Sequence, residues 1–138
     1  MTLAARRVQV VHDHMESENR LAFDETLATF IRPHYELVAT GAVYDGDDEV
    51  MGYYTASRTA FPDQRNEIHS MRAADDAVIV EFDLKGTHRG PLRGFEPTGR
   101  EFTCRMIAIF EFDDGDGIVC ERVYFDAATI LAQLTADG

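Results

Sequence analysis

The apolar residues of this chain change their spacing near Arg65, and this change constrains the fold more than any other feature. Before Arg65 they recur every three or four residues, as on one face of an α-helix. Beyond it they alternate with polar residues, as in half-buried β-strands. Helices followed by consecutive strands predict an α+β domain in which helices cover one face of an antiparallel sheet. The predicted strands and the closing helix are Arg65–Ala73, Ala77–His88, Glu101–Phe112, Ile118–Asp126 and Ala127–Leu134.

Three helices are predicted ahead of the sheet. Thr2 is placed to cap the first helix, and the second covers Phe23–Ile31. The third begins with Asp47 as its cap and stops before Pro62, because proline disfavours a helical conformation at the preceding residue. A short additional strand is expected at His34–Val38, between the second and third helices.

Length and charge narrow the classes of protein that this sequence can represent. Its 138 residues suit one domain spanning 1–138. The net charge is −12, and no basic cluster exceeds a short pair, so nucleic acid is not an expected partner. No stretch approaches the roughly 20 apolar residues of a membrane span, and no apolar signal region begins the chain. We therefore expect a cytoplasmic protein without a membrane partner.

The register of the last two strands predicts which face of the sheet the helices cover. A symmetric turn between these strands places Phe110 opposite Cys120. The covered face then carries the even-numbered residues, and the odd-numbered residues, including Glu121, lie on the solvated face. In this register Cys104 and Cys120 lie about 20 Å apart along the ladder, so we expect both cysteines to stay reduced.

Polar side chains on the covered face are the candidates for a functional site, because each buried polar group requires a partner or a function. Asp126 can cap the closing helix, and in apolar surroundings it can also act as a general acid or base; the two roles are compatible. Asp126 and His88 are the candidate catalytic residues. The candidate substrate-binding residues are Arg122, Tyr124, Tyr54, Phe82, Met106, His34 and Tyr35.

The sequence predicts no cofactor, either metal or nucleotide. His12 and His14 point about 200° apart on a helix, so they are not expected to share a metal ion. The glycines between residues 86 and 99 match neither a phosphate-binding loop nor a dinucleotide fingerprint.

The odd-numbered face of the sheet predicts a homodimer formed through the sheet. It carries more apolar residues among its charges than an isolated sheet usually exposes to water. These residues are Ile79, Ile107, Ile109, Val119, Val123 and Phe125.

Several spaced segments together form a recognisable pattern. They are Phe61-Pro62-Asp63, Gly86-Thr87-His88-x-Gly90, Pro97-Thr98-Gly99-Arg100, Glu121-Arg122-Val123-Tyr124-Phe125-Asp126 and Gln133-Leu134. This pattern resembles the SnoaL-like polyketide cyclases, a branch of the nuclear-transport-factor-like superfamily, over most of the chain. The resemblance implies a curved antiparallel sheet wrapped around N-terminal helices, which forms a cone with an internal pocket and a short C-terminal helix.

The same resemblance implies a small hydrophobic molecule as partner. It implies cofactor-independent acid/base chemistry, an aldol cyclisation or an isomerisation, on a carbonyl or polyketide-like substrate with Asp126 as the acid/base. The segment Tyr124-Phe125-Asp126 also resembles limonene-epoxide-hydrolase-like enzymes, which implies water addition as an alternative, with Glu81 and Asp83 at the matching strand positions. A domain that binds an apolar ligand or a protein without catalysis is the third possibility, since this fold hosts both kinds of function.

Overall fold

The computed structural model describes residues 1–136, which form helices and strands in the predicted order. Thr2 caps the first helix, its hydroxyl accepting a hydrogen bond from the backbone N–H of Ala5 at 3.1 Å. The helices are α1 (Leu3–Asn19), α2 (Phe23–Ala28), α3 (Asp47–Ala60) and α4 (Ala127–Leu134). The strands are β1 (His34–Leu37), β2 (Ala42–Asp45), β3 (Arg65–Ala73), β4 (Ala77–Thr87), β5 (Glu101–Phe112) and β6 (Ile118–Tyr124).

The six strands form one sheet in the order β2-β1-β6-β5-β4-β3. Neighbouring strands run antiparallel except β1 and β6, which are parallel, so the sheet is mixed rather than wholly antiparallel. The edge strand β2 was not predicted from the sequence, and it pairs with β1 through a short turn at residues 38–41. The helices lie on one side of the sheet, as expected for the α+β fold.

The core lies between the helices and the even-numbered face of the central strands, as the alternating pattern predicts. Burial of each large apolar side chain contributes about 1.5 to 3 kcal/mol, so this face supplies much of the stability. The buried residues of β4 and β5 on this face are Val78, Val80, Phe82, Phe102, Cys104, Met106, Ala108, Phe110 and Phe112.

A β-bulge makes the predicted register of the last hairpin wrong. Phe112 pairs with Ile118, but Glu111 pairs with Cys120, so Val119 is an extra residue on β6. A bulge of one residue exchanges the two faces of the strand beyond it, because side chains alternate with a period of two.

The exchange changes the environment of four consecutive positions on β6. Phe110 faces Glu121 rather than the cysteine, and Glu121 and Val123 are buried on the helix side of the sheet. Arg122 and Tyr124 turn to the outer face, contrary to the prediction. The dimer surface predicted from the odd-numbered residues therefore loses Val123, which lies in the core, and Phe125, which packs against the core on the helix side.

The helix ends also differ from the prediction in two places. The second helix ends at Ala28, because the chain then extends to pair with β6: the backbone N–H of Ile31 donates to Ile118 O at 2.9 Å. The third helix has Gly46 at its cap position, with a φ of 90°, rather than Asp47. The last strand was expected to reach Asp126, but β6 ends at Tyr124, and Asp126 lies outside the strand as the cap of α4.

The two cysteines lie on opposite faces of the sheet, and both are buried and free, in agreement with the expected reduced state. The homodimer stays a prediction; its remaining apolar positions on the outer face, all half-buried, are Ile79, Ile107, Ile109 and Val119. None of the helices between residues 1 and 136 combines the length and the hydropathy needed to cross a membrane.

Candidate functional site

A cavity of about 560 Å³ opens between the helices and the inner face of the sheet. Its wall is mainly apolar and includes Phe82, Phe102, Met106 and Phe125. Tyr35, Tyr53 and Tyr44 line one side as a ladder of rings whose centroids are 5.0 and 4.8 Å apart. A cavity of this size and lining suits a small hydrophobic molecule.

Four ionisable side chains form an inner cluster at this cavity. Glu18 of α1, Arg58 of α3 and Glu121 of β6 line the cavity, and His14 lies fully buried behind them. His14 and Glu18 are one helical turn apart and therefore share a face of α1. Nε2 of His14 lies 3.1 Å from Oε1 of Glu18 and 2.9 Å from Oε1 of Glu121.

Hydrogen bonds fix a proton on Nδ1 of His14. Nδ1 lies 2.8 Å from the Thr29 hydroxyl, which donates its own hydrogen to Thr26 O at 2.6 Å. Since a hydroxyl has one hydrogen, Thr29 accepts from the Nδ1–H. Nε2 of His14 is therefore the nitrogen that faces the carboxylates of Glu18 and Glu121.

Burial and neighbouring charges shift the pKa values of the inner cluster. Burial raises the pKa of Glu121 to about 7, and the Glu18 charge adds to this effect against the opposing influence of His14 and Arg58. Burial lowers the pKa of His14, but Glu121 and Glu18 outweigh it and raise that pKa to about 10. Burial also raises the pKa of Glu18, yet His14 and Arg58 lower it overall. Glu121 is thus the member of the cluster whose pKa lies nearest neutral pH.

Arg58 brings hydrogen-bond donors to the cavity. Its side chain is 9% exposed, with Nη1 donating to Ser57 Oγ at 2.8 Å and Nη2 lying 3.5 Å from Glu18 Oε2. Its Nε–H is buried and has no hydrogen-bond partner within residues 1–136. A buried donor beside a cavity is suited to stabilise a negatively charged oxygen of a bound molecule.

The inner cluster also contains a donor set that could hold a metal ion. The ligand atoms of His14, Glu18 and Glu121 all lie within 4.8 Å of one another. However, the His14 imidazolium and the Arg58 guanidinium can balance the two carboxylates without a further cation. The charges of the cluster are therefore consistent with proton transfer and do not require a metal.

Three of the nine site residues predicted from the sequence line the cavity, namely Tyr35, Phe82 and Met106. Tyr54 is fully buried beside the cavity and stacks on Phe23 with 4.9 Å between ring centroids. Its hydroxyl has no hydrogen-bond partner in the described part of the chain.

The two predicted catalytic residues lie outside the cavity lining. Asp126 is exposed and accepts a hydrogen bond from the backbone N–H of Ala128 at 3.0 Å, which caps α4. His88 is 1% exposed, and its Nδ1 accepts from the backbone N–H of Thr98 at 3.3 Å, which ties down the loop after β4. Their catalytic roles stay predictions.

The other three predicted residues lie on the outer face of the sheet. Tyr124 is 41% exposed there. Arg122 and His34 line a separate groove, where both contact Glu36. Nε of Arg122 lies 3.1 Å from Oε1 of Glu36, and Nε2 of His34 lies 2.7 Å from Oε2. The bulge at Val119 explains the placement of Arg122 and Tyr124, since it exchanges the faces of β6.

None of the four inner-cluster residues is among the site residues predicted from the sequence. The predicted register places Glu121 on the solvated face, because that register contains no bulge. The sequence does carry a signal for the members of the cluster on α1. His14 and Glu18 continue the helical stripe of Val11 and Met15, so they lie on the buried face of α1. Polar residues at those positions indicate a buried polar site.

The mixed sheet, the covering helices and the cavity between them define a pocket-forming α+β domain of the nuclear-transport-factor-like class. The family model for the SnoaL-like polyketide cyclases matches residues 6–134, and the chain belongs to this family. This membership confirms the resemblance inferred from the sequence motifs.

Solved structures show the same fold. IdmH, a proposed polyketide cyclase from Streptomyces antibioticus, is 25% identical with a TM-score of 0.77, and the match covers 93% of this chain and 97% of IdmH. A proposed SnoaL-like polyketide cyclase from Jannaschia sp. CCS1 is 15% identical with a TM-score of 0.87, over 100% and 97% of the two chains. TsrD from Streptomyces laurentii is 19% identical with a TM-score of 0.81, over 99% and 100%. No curated protein sequence matches the chain significantly.

Proposed function

We propose that this protein is a cofactor-independent enzyme of the cyclase or isomerase type, which moves a proton on a hydrophobic carbonyl compound with Glu121 as the proton carrier. One observation carries the proposal: Glu121 lines an apolar cavity, and burial raises its pKa to about 7. A general acid or base is most effective when its pKa lies near the working pH. Membership of the cyclase family supports the same type of reaction.

The reaction begins with proton abstraction by the Glu121 carboxylate. It removes a proton from the carbon next to a carbonyl group, and the C–H electron pair forms an enolate. The donors of Arg58 stabilise the negative oxygen of this enolate, as preorganised N–H groups do for other oxyanions. The His14–Glu18 pair holds Glu121 in position at the cavity wall.

Two outcomes are open to the enolate. In a cyclisation, its carbon attacks a second carbonyl of the same molecule, a C–C bond forms, and the resulting alkoxide takes the proton from Glu121. In an isomerisation, the proton returns from Glu121 to a different carbon. Both outcomes regenerate the Glu121 carboxylate and need no redox partner.

Hydrogen exchange tests the proposal before a natural substrate is known. Each member of a panel of aromatic and aliphatic β-dicarbonyl compounds is incubated in D₂O, and mass spectrometry measures exchange of the proton between the carbonyl groups. We expect the protein to accelerate exchange of at least one compound. Glu121→Gln should lower this acceleration by about 10²-fold or more, because it removes the proton carrier.

Asp126→Asn is the matched control, since it makes the same carboxyl-to-amide change at the exposed cap of α4. We expect it to keep the wild-type exchange rate and melting temperature, because asparagine also caps helices well. Loss of exchange in Asp126→Asn with full exchange in Glu121→Gln would identify Asp126 as the carrier and refute the assignment to Glu121.

Water addition to an epoxide is less well supported by the geometry. Glu81 and Asp83, the strand carboxylates of that alternative, lie on the outer face and form ion pairs with Arg105. Neither is among the residues that line the cavity.

A further inference from the structure

We propose that His34, Glu36 and Cys120 form a binding site for a thiophilic divalent cation such as Zn²⁺, on the face of the sheet opposite the cavity. The three residues line a groove of about 370 Å³ that is separate from the inner cluster. The site is independent of the proposed proton transfer, since none of its three donors lines the cavity.

Strand pairing explains why the three donors meet. His34 and Glu36 are two residues apart on β1, so their side chains point to the same face. The parallel pairing of β1 with β6 places Glu36 beside Arg122, and Cys120 lies two residues earlier on β6, next to His34. The bulge at Val119 turns Cys120 to this outer face.

The distances approach those of a metal site. The ligand atoms of the three residues lie within 4.8 Å of one another. Nε2 of His34 is 2.7 Å from Oε2 of Glu36, and Sγ of Cys120 is 3.8 Å from the same oxygen. A tetrahedral Zn²⁺ places its nitrogen and oxygen ligands about 3.3 Å apart and its sulfur about 3.6 Å from either. Small side-chain adjustments are therefore sufficient to bring the donors around one ion.

A second carboxylate orients the histidine as in known metal centres. Nδ1 of His34 lies 3.2 Å from Oδ1 of Asp45, on the neighbouring strand β2. Metal-bound histidines commonly donate their other ring N–H to a carboxylate, which fixes the tautomer and strengthens the ligand. When the Nδ1–H of His34 donates to Asp45, Nε2 can bind a cation in place of its present contact with Glu36.

Arg122 lies next to the site but does not occupy the ligand oxygen. Its Nε contacts Oε1 of Glu36 at 3.1 Å, whereas His34 and Cys120 contact Oε2. Its Nη2 is held by Glu111 at 2.8 Å and also lies 3.8 Å from Sγ of Cys120. A cation bound between Oε2 of Glu36 and Sγ of Cys120 displaces this long Nη2–Sγ contact, while the ion pair of Arg122 with Glu111 can remain.

Cation binding must release the proton of the Cys120 thiol, because the thiolate is the ligand. One proton leaves Sγ as the metal–sulfur bond forms. A proton held on Nε2 of His34 must also leave before this nitrogen binds the cation.

Titration with Co²⁺ tests the site, because a cobalt–thiolate bond gives a charge-transfer band in the near ultraviolet. We expect the full chain to show this band with one equivalent of Co²⁺ and to lose it on addition of Zn²⁺. Cys120→Ser should abolish the band, whereas Cys104→Ser, the matched control on the inner face, should retain it. His34→Gln should weaken Co²⁺ binding by about tenfold or more, and Asp45→Asn by about tenfold.

His69→Gln is the control for a histidine on the same face, since His69 pairs with Asp83 away from any cysteine. It should leave Co²⁺ binding unchanged. The proposal is wrong if the wild type shows no band, if Cys120→Ser keeps it, or if Cys104→Ser loses it. Because His34 is partly exposed, His34→Gln should fold even if Cys120→Ser does not, and unchanged Co²⁺ affinity in that variant also refutes the site.

Discussion

Glu121 on the last strand and His14 on the first helix meet between α1 and the inner face of the sheet, where Oε1 of Glu121 lies 2.9 Å from Nε2 of His14. This contact joins residues from opposite ends of the chain, and both side chains are buried. Removing one member of a buried charged pair leaves the other unpaired, and this costs more than the pair itself contributes. The contact therefore links the stability of the fold to the chemistry of the cavity.

His14→Gln should destabilise the protein by about 3 kcal/mol at neutral pH, because Glu121 and Glu18 lose their shared partner. The double variant His14→Gln/Glu121→Gln should lose less free energy of unfolding than the two single variants lose together, by at least about 1 kcal/mol. Urea unfolding of the four proteins measures this coupling. Additive effects would show that the two side chains do not interact.

Glu121→Gln should become more stable relative to the wild type as pH rises from 5 to 7. The pKa of Glu121 is about 7 in the fold, above the ordinary value of 4.5, so the folded state retains a proton that the unfolded state loses. In the wild type, the stabilisation that comes from this retained proton is fully present below about pH 4.5 and is lost as the pH rises toward 7. The difference between variant and wild type should grow by on the order of 2 kcal/mol. A constant difference over this range would contradict the raised pKa.

Neighbouring substitutions on β6 test the register set by the bulge. Val123→Ala should cost about 1 to 3 kcal/mol, because Val123 is 2% exposed in the core. Tyr124→Ala should cost about 1 kcal/mol or less, since Tyr124 lies on the outer face. Thermal or urea unfolding compares the two. The reverse order would support the symmetric hairpin expected from the sequence.

The sequence carries most of the information about the elements. The bounds of β3, β5 and α4 agree with the prediction, because alternation and helical spacing are local signals. Strand β2 was missed, since four residues at an edge give little pattern. Its pairing with β1 depends on contacts distant from any local motif.

The candidate site was harder to predict than the fold, and one residue accounts for much of the error. The extra Val119 in β6 exchanges Glu121 with Arg122 between the two faces of the sheet. No local feature of the sequence marks a bulge of this kind, because both registers bury apolar residues. Arg58 was also missed, although it follows the fully buried Tyr54 by one turn of α3 and so shares its face.

The predicted homodimer can be tested on the outer face as the structure defines it. We expect sedimentation to give twice the 15.5 kDa chain mass at micromolar concentration. Ile107→Glu should yield the 15.5 kDa monomer, because it places a charge among the remaining apolar positions of that face. Val43→Glu, exposed on the edge strand, is the control that should leave the dimer intact. A wild-type monomer would contradict the prediction.

Titration of the Glu121 carboxyl carbon tests the central claim most directly, and it requires no substrate. Carbon-detected NMR of protein labelled at the glutamate carboxyl groups follows each resonance between pH 4 and 9, and the Glu121→Gln variant identifies the signal of Glu121. The raised pKa predicts a midpoint near 7 for this signal. A midpoint near the ordinary 4.5 would mean that Glu121 is fully ionised at neutral pH, and it would contradict the assignment of this residue as the proton carrier.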